Sequence, residues 1–417
     1  MTFLDKLHHP EYYLKTFIKW TFLSLVVGIL GGLLGAAFHH ALHFVTHVRA
    51  ENNWLIYLLP VGGLLTVGLY RILGITRNRG TNEIIDAILE KKPVRPMVAP
   101  AVFLASGFTH LFGGSAGREG AALQIGGSMA SGVGKLFGLK DRNRTILVTC
   151  GMSAVFAGLF GTPLTAMIFC MEFESVGTLF TPALLPCYLS AFIASRVSFA
   201  LGVHAETFLL ETAAALNGAN IIGTVVLAVL VSGLGVAMCH LFHSAEHLAA
   251  HYLPNRWIRI AVGGAVVTVL TVLVGNQRFN GAGMEMAMEA LGGHADWYSF
   301  ILKMLFTAVT LAAGFKGGEI VPTFCIGATF GCVLGGFLGL EPGLAAALGL
   351  IGLFCCATNS PLAAIVLSVE MFGGANLYLF ALICVICFVL SGNSGLYASQ
   401  IIEFSKSEIS GSRQSRV

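Results

Sequence analysis

Long stretches without a charged residue dominate the hydrophobic pattern of this 417-residue chain. Stretches without Asp, Glu, Lys or Arg include 20–38, 145–171, 175–195, 320–340, 342–369 and 371–402. A membrane-spanning helix needs about 20 mainly apolar residues, and several of these stretches are longer. The pattern therefore predicts helices that tilt, or a helix followed by a bend. A soluble repeat protein would show a recurring polar face, which this sequence lacks.

The composition assigns the chain to the membrane class. Hydrophobic residues make up 56% of the sequence and charged residues 11%, whereas soluble domains carry roughly 25% charged residues. Such a chain cannot cover a water-exposed surface. We therefore expect an all-α integral membrane protein in contact with lipid, because helices satisfy their own backbone hydrogen bonds there.

The positive charges predict how the chain is oriented in the membrane. Lys and Arg residues cluster in the predicted loops 71–95 and 135–144. The positive-inside rule places these loops, the N-terminus and the tail with Lys406, Arg413 and Arg416 in the cytoplasm. The net charge of +3 gives no reason to expect a nucleic-acid partner.

Three other features are interpreted as structural. Residues 1–20 predict a short amphipathic lead-in helix, and no signal-peptide cleavage site follows them. The ten cysteines fall mostly in apolar stretches and are interpreted as small buried residues. His39, His40, His43 and His47 recur near one apolar helix without an acidic or Cys partner. We therefore predict no metal site, no disulfide framework and no cofactor.

The two halves of the sequence repeat each other. Pro163 and Glu172 lie nine residues apart, as do Pro361 and Glu370, at an offset of 198. A second matched motif, which starts at Gly117 in the first half, recurs at an offset of 201. The predicted units are a lead-in 1–20, a first repeat 21–202, a second repeat 203–402 and a tail 403–417. Transporters built from two repeats commonly bind substrate at the repeat interface.

Glycine-rich segments interrupt the apolar stretches in both halves. The 51 glycines cluster at 113–117, 126–127, 317–318 and 392–395. Such clusters predict interrupted helices, since non-helical backbone at membrane depth must be buried in protein or line a cavity. The alternative is that these glycines only allow neighbouring helices to pack closely and do not interrupt a helix. A helix N-terminus exposed at such a break carries unpaired N–H groups and a positive dipole end, which together bind anions.

Glu119 lies at the N-terminus of the helix that follows the 113–117 segment. A lone carboxylate inside a membrane is expensive and usually functional. Its ionised form can occupy the anion site, and its protonated form can leave it, so one residue can couple anion and proton movement. An ion pair with Arg118 is the alternative, although adjacent residues on a helix do not face each other.

The segment 315–322 of the second half predicts another helix N-terminus at the equivalent place. Pro322 falls in the first helical turn, where its missing N–H is tolerated. Glu319 is then either a second functional carboxylate or a partner of Lys316, three residues away.

Two further polar residues have a structural and a functional interpretation. Thr81 or Asn82 can act as the N-cap of a short helix, or the Thr81 hydroxyl can donate to an anion. Tyr397 follows the last apolar stretch and offers either a phenolic donor or an aromatic anchor at the membrane interface.

Over nearly its whole length the chain resembles the CLC family of chloride and fluoride channels and anion/proton antiporters. Residues 117–120 match the family's GREG signature, whose glutamate is the external gate and proton carrier. Residues 318–322 resemble its GxFxP signature, with Ile320 in place of the aromatic residue. Gly80 and Thr81 resemble the start of its GSGIP signature, whose serine coordinates the anion, and Tyr397 falls at its coordinating tyrosine.

The resemblance implies a homodimer with one anion pathway per subunit, built as an inverted repeat of tilted and interrupted helices. It implies gating and proton-carrying roles for Glu119 and Glu319. The anion-binding residues that it implies are Thr81, Gly117, Arg118, Gly120, Ala121, Gly318, Ile320, Val321 and Tyr397.

The departures from the family pattern point to one branch. Threonine stands at position 81, and Ala121 follows GREG where proline is usual. Many family antiporters carry two adjacent acids at the end of the helix that begins near position 162, but here Glu172 precedes Phe173. The fluoride/proton branch also lacks the second acid, and it carries a glutamate after the second-half Gly-Gly, as Glu319 does here.

Four functions compete on this evidence. Proton-coupled halide antiport through Glu119 is the leading hypothesis, with fluoride slightly favoured over chloride. A passive, voltage-gated-type chloride channel of the same fold is the alternative, and loss of the internal glutamate favours it. An intramembrane enzyme is disfavoured because an HExxH motif and an Asp pair on facing helices are lacking, so we predict no catalytic residues. A cation-coupled transporter would need carbonyl-rich unwound segments rather than N–H-presenting helix starts.

Overall fold

The structure is a computed structural model that describes residues 10–75, 79–205, 207, 208, 210, 214–403, 406, 415 and 416. Within these residues the chain forms sixteen α-helices, three short 3-10 helices and one small sheet. The first eight helices are α1 (Pro10–Glu51), α2 (Leu59–Ile72), α3 (Thr81–Leu89), α4 (Val98–Leu111), α5 (Glu119–Leu136), α6 (Asp141–Phe160), α7 (Pro163–Glu172) and α8 (Leu184–Ala200).

The remaining helices follow the segment that joins the two halves. They are α9 (Gly218–Tyr252), α10 (Arg256–Val274), α11 (Met284–Leu291), α12 (Ser299–Ala313), α13 (Ile320–Gly335), α14 (Pro342–Thr358), α15 (Pro361–Phe372) and α16 (Leu377–Leu390). The 3-10 helices are Asn53–Leu58, Thr181–Ala183 and Gly336–Leu338, and the strands are β1 (Ser175–Val176), β2 (Ile401–Ile402) and β3 (Ser415–Arg416). Strand β2 pairs parallel to β1 and antiparallel to β3.

Length and composition make the chain a multi-pass membrane protein. In the described part, seven helical segments are long and apolar enough to cross a bilayer. The outward faces of α1 and α9 carry large hydrophobic side chains such as Leu33 and Val229, which are 46% and 50% exposed. Lipid, unlike water, tolerates such faces, so the all-α membrane class predicted from composition is confirmed.

The predicted lead-in is continuous with the first membrane helix. Residues 1–9 lie outside the described residues, and α1 starts at Pro10 and extends for 42 residues. No Gly or Pro lies between Glu11 and Trp20, so nothing in the sequence ends the helix there. The boundary predicted at residue 20 therefore does not coincide with a helix end. Arg77, Arg413 and most of the tail 403–417 also lie outside the described residues.

The longest apolar stretches contain a helix, a bend and a second helix, as predicted. Helix α6 ends at Gly161, whose φ of 72° lies in the left-handed region. Helix α14 ends in the same way at Asn359, with φ 56°. Pro163 and Pro361 then open α7 and α15, because proline fits the first turn of a helix.

Helices α7 and α15 cap each other across the two halves. The carboxylate of Glu172, at the end of α7, accepts the N–H groups of the second and third residues of α15. The carboxylate of Glu370 on α15 does the same for α7. The distances are 3.1 Å from Leu362 N and 2.9 Å from Ala363 N, and 3.0 Å from Leu164 N and 2.8 Å from Thr165 N. These bonds relate the halves by the offset of 198 seen in the sequence.

Close helix packing explains one glycine pair that the sequence suggested as a break. Gly126 and Gly127 lie inside α5, so no interruption occurs there. A Cβ on Gly126 would overlap the carbonyl oxygen of Gly151 on α6. Gly327 on α13 meets Gly349 on α14 in the same way. Gly126 therefore serves close backbone approach to α6, as small residues do between membrane helices. All ten cysteines are buried, which confirms their predicted role.

Candidate functional site

Two interrupted helices bring their N-termini together in the interior of the protein. In the first half the chain leaves the helix after Leu111 and resumes it at Glu119. In the second half it leaves after Ala313 and resumes at Ile320. Gly113 and Gly314 turn the chain at φ 82° and 102°, where a side chain would be strained. The predicted interruptions at 113–117 and 317–318 are thus confirmed.

A reciprocal pair of hydrogen bonds joins the two breaks. Gly117 N donates to Gly318 O and Gly318 N donates to Gly117 O, both at 2.7 Å. This pairing is antiparallel and repeats the sequence offset of 201. The first turns of α5 and α13 therefore start side by side, with their unpaired N–H groups close to one another.

The carboxylate of Glu119 lies between these two helix starts. It is 0% exposed, and its Oε1 accepts the N–H group of Arg118 at 3.0 Å. Its Oε2 accepts the N–H group of Val321, from the other half, at 3.2 Å. Backbone donors from both repeats thus hold one carboxyl group, which is the arrangement expected of an anion site at helix N-termini.

Glycine is required on both sides of this carboxylate. A Cβ on Gly117 would overlap Glu119 Oε2 and approach Pro322 Cδ to 2.9 Å. A Cβ on Gly318 would overlap the same oxygen and lie 2.7 Å from Glu119 N. The two glycines therefore leave the space that the carboxylate, or an anion in its place, occupies.

Arg118 contacts Glu119 through its backbone and turns its side chain to other groups. Its guanidinium lies 5.0 Å from the centre of the Phe160 ring. Arg118 Nη1 lies 3.4 Å from His39 Nδ1. His39 is one of the four histidines considered as metal ligands, and this contact places it beside Arg118 instead.

Thr81 lies beside the same site, although not as a helix cap. Gly80 holds the N-cap position of α3, with φ 65°, and Thr81 is the first helical residue. The Asn82 side chain accepts Ser399 N at 2.9 Å. Neither Thr81 nor Asn82 is therefore the N-cap. A Cβ on Gly120 would come within 2.9 Å of Thr81 Oγ1, so this hydroxyl faces the first turn of α5.

A cavity of about 720 Å³ leads to the site from one side of the protein. Thr81, Glu319, Tyr397 and Gln124 line it. Its basic lining residues are Arg71, Arg79, Arg256, Arg259 and Lys316. Because these five cations outnumber the two acidic lining residues, Glu246 and Glu319, the cavity should raise the local concentration of anions.

Tyr397 is held in this cavity by the polypeptide after the last helix. The N–H group of the preceding residue, Leu396, donates to Ala357 O at 2.8 Å. The Tyr397 ring meets the ring of Phe173 edge-on, with centroids 5.5 Å apart. Phe173 therefore packs against the tyrosine at the position where many family antiporters carry an acid.

The structure groups the sequence-predicted residues in three sets. Gly117, Arg118, Glu119, Gly318 and Val321 interact directly at the paired helix starts. Gly120, Ala121 and Ile320 are buried in the first turns of α5 and α13. Thr81, Glu319 and Tyr397 line the adjoining cavity.

Sequence reasoning missed two polar residues of the cavity. Gln124 lies one turn after Gly120, and its Nε2 donates to Gly120 O at 2.9 Å. Glu246 on α9 is the second carboxylate, besides Glu319, among the described lining residues. The available signal was the presence of a polar side chain in an otherwise apolar membrane helix.

Comparison with known proteins identifies the family. Residues 62–392 match the model of the family described as voltage gated chloride channel. The chain belongs to this family, the CLC family. The inverted repeat of interrupted helices described above is therefore the CLC fold, as the sequence resemblance implied.

Individual CLC proteins resemble the chain over almost its whole length. A "chloride/fluoride channel protein" of Pseudomonas syringae pv. tomato is 32% identical over 412 residues, which cover 97% of this chain and 91% of the relative. An H(+)/Cl(-) exchange transporter of Vibrio vulnificus is 26% identical, over 92% and 89% of the two chains. The crystal structure of a CLC-type fluoride/proton antiporter matches with a TM-score of 0.89 and 32% identity, covering 92% of this chain and 98% of that one.

Proposed function

We propose that this CLC protein exchanges fluoride for protons across a membrane, with Glu119 as gate and proton carrier. The observation that carries the proposal is the buried Glu119 carboxylate, which backbone N–H groups of both repeats hold. An ionised side chain there excludes an anion from the same donors. Protonation removes its charge, so the anion can then take the site while the side chain carries the proton.

Fluoride is favoured over chloride by two comparisons and one residue. Both the relative from Pseudomonas syringae pv. tomato and the antiporter structure, each 32% identical, carry fluoride in their descriptions. Glu319 follows the second-half Gly-Gly and lines the cavity beside Tyr397. We assign Glu319 to the proton route between the cavity and Glu119, and Thr81 and Tyr397 to anion binding.

The cavity opens to the cytoplasm in this proposal, and both termini lie on that side. The basic residues of its lining, such as Arg71 and Arg256, gather around this one cavity. The positive-inside rule assigns an Arg-rich face to the cytoplasm. Two copies of the chain form a homodimer with one pathway each, as the CLC resemblance implies. Light scattering of the detergent-solubilised protein tests the dimer, and a monomeric mass would contradict it.

The function is tested with purified protein in liposomes. A fluoride gradient should drive protons in the opposite direction, and paired fluoride and pH electrodes record both fluxes. Glu119→Gln mimics the protonated gate and should abolish proton movement. Glu403→Gln, which alters an exposed carboxylate, is the matched control and should keep the coupling. Proton movement that persists in Glu119→Gln would refute the gate assignment.

A passive anion channel of the same fold is the second candidate, since Phe173 replaces the internal acid of many antiporters. The channel predicts a reversal potential set by the anion gradient alone, whereas the antiporter predicts a shift with the pH gradient. Chloride in place of fluoride in the same liposomes measures which halide is preferred.

A further inference from the structure

A fully buried lysine lies behind the first-half break. Lys303, in the middle of α12, is 0% exposed. Its Nζ donates to Ser115 Oγ at 3.0 Å, to Phe279 O at 3.2 Å and to Gly281 O at 2.7 Å. Three acceptors match the three N–H groups of an ammonium ion. The geometry therefore fits the charged form of the side chain.

The positive charge of Lys303 is not neutralised by its hydrogen-bond partners. Each of its three partners in the described part of the chain is an uncharged oxygen. A second cation lies nearby, because Arg49 Nη1 donates to His110 O at 3.1 Å and packs against Gly281. A buried charge without a countercharge is strongly unfavourable for folding, and in membrane proteins such charges mark ion pathways.

Lys303 is close enough to the gate to act on it electrostatically. Its partner Ser115 precedes Gly117 by two residues, which span at most about 7 Å. The ammonium group therefore lies within about 16 Å of the Glu119 carboxylate, and we take roughly 10 to 15 Å as the separation. At an effective dielectric constant of about 20, a unit charge at that distance changes the affinity for an anion roughly five- to fifteenfold.

We propose that Lys303 supplies the counter-charge that keeps one negative group in the site at all times, either the halide or the ionised Glu119. The ammonium attracts both groups alike, so exchange of one for the other leaves the local charge balance unchanged. Removal of the lysine charge therefore weakens the binding of the halide and of the ionised carboxylate equally. The competition between the two for the site stays unchanged. This inference rests on the proposed function, since it presupposes that an anion replaces the carboxylate.

The test uses Glu119→Gln as the parent, because a neutral gate leaves fluoride as the only anion in the site. Fluoride dissociation constants are measured by calorimetric titration of detergent-solubilised protein. Lys303→Met removes the charge and should raise the dissociation constant roughly five- to fifteenfold. Ser115→Asp keeps the lysine but pairs it with a carboxylate, and it should produce a similar rise even if Lys303→Met fails to fold.

Ser115→Ala is the matched control, because it removes one hydrogen bond and leaves the charge. It should bind fluoride within twofold of the parent. Equal dissociation constants for the Ala and Asp variants would overturn the proposal and leave Lys303 a packing residue. Failure of the parent itself to bind fluoride would overturn the proposed function together with this inference. Binding by the parent with no effect of the charge variants would overturn the inference alone.

Discussion

Substitution of either reciprocal cap should destabilise the fold without touching the gate. In Glu172→Gln the side chain keeps its shape and one acceptor oxygen, but it loses its charge and one of its two bonds to α15. A hydrogen bond to a charged group contributes about 1.5–3 kcal/mol, and the interaction of the charge with a helix N-terminus adds about 0.3–1 kcal/mol. We expect a loss of about 2–4 kcal/mol in the free energy of unfolding.

The mirror-image substitution Glu370→Gln should cost less, near the lower end of that range. Glu370 accepts equally short bonds, but it is half-buried whereas Glu172 is only 6% exposed. Water can therefore replace part of the hydrogen bonding that the substitution removes. Because each carboxylate caps a different helix, the double variant should lose about the sum of the two single effects.

The assay is SDS titration of protein in mixed micelles, followed by tryptophan fluorescence. Glu341→Gln calibrates it, because Glu341 accepts two N–H bonds of α14 at 2.8 and 2.6 Å within its own half. Glu172→Gln should lose at least as much unfolding free energy as Glu341→Gln does. Glu403→Gln should be as stable as the wild type. A Glu172→Gln variant within about 0.5 kcal/mol of the wild type would show that these bonds contribute no net stability.

Three further predictions concern the site. Gly318→Ala should reduce fluoride flux at least tenfold in liposomes, because its Cβ would overlap the Glu119 carboxylate and lie 2.7 Å from Glu119 N. Near-normal flux would show that the site can accommodate a Cβ at this position. Tyr397→Phe should change the fluoride-to-chloride preference about fivefold, as loss of one hydrogen bond of about 1 kcal/mol implies, and an unchanged ratio in competition experiments would leave Tyr397 a packing residue. Glu319→Gln should lower the number of protons moved per fluoride, measured with paired electrodes, and an unaltered ratio would remove Glu319 from the proton route.

The helix interruptions at 113–117 and 317–318 could be predicted from the sequence because they combine residue types that are unusual in a membrane helix. A glycine cluster beside an acidic residue in an apolar stretch has few structural explanations, and both Glu119 and Glu319 stand beside one. The repeat offsets added a second, independent signal. The joint position of Gly117 and Gly318 follows from these two signals together, and the structure shows it as a pair of 2.7 Å bonds.

Other features could not be predicted from the sequence because most of them depend on neighbours that lie far away along the chain. Gly126 and Gly127 look like the breaks in sequence, yet they lie inside α5, where Gly126 allows close contact with α6. Only the position of the neighbouring helix distinguishes the two uses of glycine. Thr81 has the residue type of an N-cap, but the left-handed Gly80 takes that place. Lys303 is a lone cation in an apolar helix, and the sequence gives no sign of the three oxygens that surround it.

The mutual caps of α7 and α15 mean that α7 is completed only late in the synthesis of the chain. Glu370, which completes the start of α7, lies 206 residues after Leu164. A ribosome adds about 5–20 residues per second, so α7 waits roughly 10–40 s for its partner after it has been made. During that interval the N–H groups of its first turn have to find acceptors elsewhere, at the insertion machinery or in the headgroup region. The nascent first half is thus unfinished until nearly the whole polypeptide has been translated.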